Sequence, residues 1–133
     1  MLTKTIPNNL DEAVAILTEY YKDKLSEIAD MTEDKFIGNS HHSLGQGIRN
    51  DWNLWWHENH SITGWPKEKP ALTEYFNNLG IYHGDDLSGI ILTSFYRGVV
   101  GKDRDLEGQI KVYKKHWKQQ GFKDGIYDYK RKS

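Results

Sequence analysis

Leu10, Ala13, Val14, Leu17, Tyr21, Leu25 and Ile28 recur at intervals of three and four, while Glu19, Lys22, Asp23, Lys24 and Glu27 fill the positions between them. That spacing predicts one amphipathic helix of about five turns, with an apolar stripe on one side and a charged face on the other. Pro7 with Asn8 or Asn9 supplies its start, and Asp11 and Glu12 suit its positive first turn. Thr32 is a cap for a short helical stretch through Phe36 and Ile37, which Gly38 and Asn39-Ser40 end. Leu44, Ile48, Trp52 and Trp55 then follow at four, four and three, predicting a helix from about His42 to Trp55. Gly45 and Gly47 fall inside it, where glycine costs about 1 kcal/mol against alanine, so close approach of another helix or of a ligand is their expected reason.

The pattern lapses over residues 57–70, "HENHSITGWPKEKP", which read as a connecting loop, and Pro70 suits the first turn of the next helix. Leu72, Tyr75, Phe76 and Leu79 give that helix its core side, and Gly80 its C-terminal cap. A further helix begins near Asp85 and carries Leu87, Ile90, Ile91, Ser94 and Phe95, although a buried strand over "GIILTSFY" satisfies the same apolar run. Asp103 or Asp105 caps the last helix, with Leu106, Ile110, Tyr113 and Trp117 on its apolar side and Gly121 at its end. The expected fold is all-α, a single compact domain of about five helices over residues 1–121, followed by a polar, lysine-rich and partly disordered tail over 122–133.

Composition changes this picture only at its edges. With 133 residues the chain forms one core, and 13% aromatic content supplies large buried rings. A formal net charge of −1 removes the broad attraction on which nonspecific nucleic-acid binding depends. Residues 102–133 hold ten Lys or Arg against five acids, which the simplest reading assigns to a solvated helix face and tail. The chain contains no cysteine, so disulfides, thiol catalysis and thiolate metal sites are excluded. No run approaches the ~18 apolar residues that a membrane span needs, and a cytoplasmic protein without a membrane partner is the expectation.

Three polar clusters remain: His41-His42, Arg49-Asn50-Asp51, and His83 to Ser88. Asp85 is placed to cap the helix it opens, which leaves Asp86 as a partner for Arg49 or for a ligand. Arg49 sits in an apolar stretch and cannot shed its proton, so it needs a carboxylate inside the protein or an anion brought by a ligand. The first reading is a clasp between two helices through Asp85 or Asp86. The second is a bidentate clamp on a phosphate or carboxylate, with tryptophan faces for a ring. His57 and His60, in "HENH", lack the spacing of the zinc-protease motif, and no metal or other cofactor is expected. His83 with Asp86 could transfer protons, yet no nucleophile or phosphate-loop pattern accompanies them, and no catalytic residue is assigned.

The run "HHSLGQGIRNDWNLW", with the later "LTEYFNNLGIYHGDDLSGIILTSFYR", resembles a family of small uncharacterised domains of bacterial and phage-associated proteins. The shared pattern is His-x-x-Leu-Gly-x-x-Ile-Arg-Asn-x-Trp-x-Leu-Trp and then His-x-Asp-Asp-x-Ser, and the resemblance covers roughly residues 7–117. Gly84 departs from it, standing where the pattern has proline. The resemblance implies that His42, Arg49, Asn50, Trp52, His83, Asp85, Asp86 and Ser88 belong to one motif, and it implies no activity. The leading expectation is a non-enzymatic domain holding a small polar or anionic, nucleotide-like ligand in a cleft between the Trp52 helix and the Asp85 helix. The alternatives are a protein-interaction module of inhibitor or immunity type, using the Trp55 to Trp65 region and the basic C-terminal helix, and a small enzyme using His83 and Asp86.

Overall fold

The computed structural model describes residues 5–56 and 68–128. Within them the chain forms seven α-helices and no strand: α1 (Leu10–Tyr20), α2 (Leu25–Ala29), α3 (Glu33–Ser40), α4 (Leu44–Asp51), α5 (Ala71–Asn78), α6 (Gly84–Val99) and α7 (Leu106–Gln119). A 3-10 turn at Lys123–Gly125 follows. The loop predicted over 57–70, with His57, His60, Gly64 and Trp65, lies almost wholly outside the described residues. No helix among the described residues is long and apolar enough to cross a membrane.

The count of about five helices is corrected to seven, largely because the first stripe does not build one continuous rod. Asn9 caps α1 through the Glu12 amide as its residue type predicts, but the helix ends at Tyr20 and four turn residues precede α2. Neither glycine nor proline lies in that break. The apolar register nevertheless continues across it, since Leu17 and Ile28 are buried in the same core, so packing rather than local propensity bends the chain. The Trp52 helix is likewise shorter than predicted: α4 stops at Asp51, and Asn53 takes a left-handed conformation at φ +54°. The turn buries Leu54 completely and leaves Trp55 exposed, which the uninterrupted helical spacing did not anticipate.

Alpha-helix α6 is the centre of the molecule. Leu87, Ile90, Ile91, Leu92 and Phe95 are buried along it, and α1, α2, α3, α4 and α7 all pack against it. A helix buried on most of its circumference reads as a continuous apolar run, which is why the strand alternative for "GIILTSFY" was open in the sequence. Gly89 permits the α7 contact, because a Cβ there would stand 2.3 Å from the Tyr113 hydroxyl oxygen. Phe36 stacks on Tyr96 and tilts against Phe95, joining α3 to the same helix.

At its C-terminal end α6 is tied by Arg97, which donates to both Glu33 carboxylate oxygens at 2.8 and 3.0 Å and to the Arg104 carbonyl at 2.7 Å. The hydrogen-bonded guanidinium holds the Glu33 carboxyl below its usual range. A carboxylate with a lowered folded-state pKa contributes stability above its unfolded value and loses it as pH falls through the folded one. Glu33→Gln should therefore flatten the acid limb of stability against pH below ~5 while lowering stability modestly at pH 7; identical acid limbs in urea titrations of variant and wild type would refute this.

The first part of the C-terminal segment is packed. Phe122 and Tyr127 lie against Trp117 and against each other, and Gly125 is buried at φ +71° over the Lys114 carbonyl, where a Cβ would have no room. The polar composition of residues 122–133 concealed these contacts.

Candidate functional site

Arg49 and the His83–Ser88 segment meet. Arg49 is 6% exposed, and its Nη1 donates to Ser88 Oγ at 2.8 Å while Nη2 donates to the His41 carbonyl at 3.0 Å. Its Nε lies 3.6 Å from Asp85 Oδ1, an ion pair whose acidic member remains half-exposed. Ser88 passes the contact on by donating to the Asp85 carbonyl at 3.0 Å. Gly45 makes the arrangement possible: a Cβ there would stand 2.9 Å from Arg49 Nη1 and 3.3 Å from the Ser40 carbonyl oxygen. Its neighbour Gly47 faces open space, so the close approach expected at both glycines occurs at one. The result is a clasp between α4 and α6, closed by a buried cation whose donors the protein itself engages.

Neither acid of α6 takes the capping role expected of Asp85, and of the two only Asp85 pairs with Arg49. His83, not Asp85, caps the helix, its Nδ1 accepting the Asp85 amide N–H at 3.2 Å. Asp86 does not reach Arg49. It is 6% exposed, and Oδ2 accepts the Trp117 indole N–H at 2.7 Å. Its other oxygen has no hydrogen-bond partner among the described residues, and no cation lies within ion-pair distance of it there. Burial raises the Asp86 pKa above the ordinary value, opposed by the indole hydrogen bond and by His83 and His116. Together with Asp85 the same carboxylate helps burial push the Tyr113 phenol up to about 12.

Around these acids stands a group of rings from four parts of the chain. His83 lies edge-on to Trp55 at 5.1 Å, tilted over Trp117 at 5.3 Å and edge-on to Tyr127 at 4.8 Å between centroids. Trp55 covers the helix entrance so closely that a Cβ on Gly84 would meet its ring at 2.6 Å. That contact supplies a reason for glycine where the resembled pattern has proline, a residue otherwise suited to the first helical position. Gly84→Pro should displace Trp55 and alter tryptophan fluorescence with little loss of helix content, whereas an emission spectrum identical to wild type would show that the ring does not rest there.

Of the eight predicted site residues, Arg49, Asp85 and Ser88 form the clasp, and His83 and Asp86 adjoin it on the next turn. His42 and Asn50 are exposed, and neither side chain hydrogen-bonds to the clasp among the described residues. Trp52 is fully buried beneath α4, its indole nitrogen without a hydrogen-bond partner among the described residues, so it faces the core. Sequence reasoning missed Trp117 and Tyr127 as members of the cluster. Trp117 was legible as an apolar position of α7; that its N–H would find Asp86 had no signal at all. The side chains of His83 and Asp86 share no hydrogen bond among the described residues, the two being joined through the Asp86 N–H donating to the His83 carbonyl at 2.9 Å, and the described residues include no group of metal-ligating side chains.

Residues 6–98 match the model of a family described as a domain of unknown function, DUF6794. No curated protein and no solved structure matches the chain. The matched span contains the clasp, His83 and Asp86, and ends before α7 begins.

Proposed function

We propose, given that the chain belongs to the DUF6794 family and that the family carries no assigned activity, that it is a non-enzymatic binding domain. Its ligand is small, polar and ring-bearing, and enters at the N-terminal end of α6 beside α4. Asp86 carries this reading. Its side chain is buried, accepts the Trp117 indole N–H and has no ion-pair partner among the described residues, and carboxylates perturbed by burial cluster at functional sites. The neighbouring Trp55, His83, Trp117 and Tyr127 offer faces and edges on which a planar ring packs. The half-exposed Asp85 adds a second negative group.

This combination changes which part of a nucleotide-like ligand is engaged. Arg49 is buried, with Nη1 donating to Ser88, Nη2 to the His41 carbonyl and Nε facing Asp85, which favours a base edge bearing N–H groups, facing two carboxylates, over an anionic group. Thermal-shift measurements with nucleosides and nucleotides, followed by amide chemical-shift mapping, test the proposal. Stabilisation by the nucleoside moiety, with shifts centred on residues 83–86 and Trp55 and no product formed, is the expected result. Shifts confined to another face, or no stabilisation by any of these compounds, overturn it.

A protein partner is the second reading, favoured by Trp55 at 39%, Tyr82 at 40% and Ile126 at 36% exposure, each adjoining the ring cluster or next to one of its members in the chain. A soluble quencher distinguishes the two: Trp55 fluorescence, isolated by comparison with Trp55→Phe, should remain quenchable when a small ligand is bound and become protected in a protein complex.

A further inference from the structure

We propose that the ligand class of this site is a planar N–H donor that replaces the Trp117 indole on Asp86, with α7 and residues 122–128 acting as a displaceable strap over it. The inference rests on the binding reading above and specifies its chemistry. Three observations carry it. Asp86 is 94% removed from solvent, yet its hydrogen-bonding partner among the described residues is the indole N–H of another helix. That indole is itself a flat ring presenting one N–H to a carboxylate at 2.7 Å, with His83 and Tyr127 packed against it. The family match covers His83 and Asp86 but ends at residue 98, so the group occupying the carboxylate comes from outside the matched domain.

The strap has the character of a segment that can move. Its apolar face toward α6 is carried by half-buried residues, Leu106, Ile110, Tyr113 and Trp117, with Gln109 as its one buried contact, donating to Ser94 Oγ at 3.2 Å, whereas the apolar residues of α6 facing the other helices are fully buried. Segments with few fully buried apolar groups open at lower free energy than the core. A ligand bearing an amidine-like or aminoazole edge would offer two N–H groups, reaching the Asp86 oxygen that the indole leaves without a partner as well as the one it occupies.

The test uses the full chain and 2-aminobenzimidazole as the probe, titrated into wild type, Trp117→Phe and Trp117→Phe/Asp86→Asn, with amide hydrogen exchange measured on the unliganded proteins. Trp117→Phe keeps a ring and deletes the competing N–H, so probe affinity should rise about tenfold and exchange over 106–128 should accelerate while 84–99 stays protected. Adding Asp86→Asn should abolish the gain. Equal affinity in wild type and Trp117→Phe overturns the inference, as does a gain that survives Asp86→Asn and so reports a cavity. Unchanged exchange over 106–128 in Trp117→Phe overturns it without touching the binding reading. A loosened strap with no probe or nucleoside bound by any form defeats the binding reading, and the ligand class with it.

Discussion

Arg49→Ala is expected to destabilise the protein by about 3 kcal/mol or more, a large share of the ~5–15 kcal/mol that holds a domain of this size folded. Three losses combine. The variant strips the donor from Ser88 Oγ, which is fully buried, and from the His41 carbonyl, and it empties the space over Gly45 that the guanidinium fills. The Asp85 pair adds little because that carboxylate is half in water. Ser88→Ala should cost less, about 1–2 kcal/mol, since it removes one hydrogen bond and leaves the guanidinium its other contacts. Arg49→Lys should recover only part of the loss, because a single ammonium cannot reach three acceptors set in different directions. Urea unfolding measures all three. A near-native midpoint for Arg49→Ala would mean that the guanidinium does not fasten α4 to α6, and that it is free to serve a ligand after all.

Asp86→Asn should act in the opposite direction. The amide oxygen still accepts the Trp117 N–H, while the charge that burial disfavours is gone, so the variant should be more stable than wild type at pH 7. The sign of the pH dependence follows from the raised pKa. A carboxyl whose folded-state pKa lies above its unfolded one binds its proton more tightly when folded, so the wild type recovers stability as pH falls through the folded value toward the unfolded one. The advantage of Asp86→Asn should accordingly shrink with acidification, and a destabilised variant at pH 7 would contradict the cost assigned to burying this charge. Greater stability together with lost ligand binding is the pattern of a site maintained at the expense of the fold.

The sequence was most informative where a single residue has few ways to be satisfied. Asn9 and Thr32 cap α1 and α3, Asp105 caps α7, and Gly80 and Gly121 take positive φ just past the ends of α5 and α7, each for reasons local to a few residues. Arg49 belonged to the same class at longer range, since a guanidinium in apolar surroundings must find acceptors and the His83–Ser88 segment held several. What escaped notice was set by tertiary packing. Nothing between Tyr21 and Lys24 breaks a helix, and nothing at Trp52 ends one; the chain turns at both places to bury Ile28 and Leu54. An apolar stripe tells which side of α7 faces inward, but it does not tell which atom the Trp117 N–H will meet. The assignment of the cap to Asp85 failed for a related reason, as His83 supplies an equivalent acceptor two positions earlier.

The position of α6 within the chain governs when the protein can fold during its synthesis. The helices α1 to α4 are complete by residue 51, but the surface they bury against spans residues 84–99. A growing chain therefore carries Leu10, Leu17, Phe36 and Ile48 without their main apolar partner until α6 has left the ribosomal tunnel. During that interval those apolar side chains stay open to association with other nascent chains.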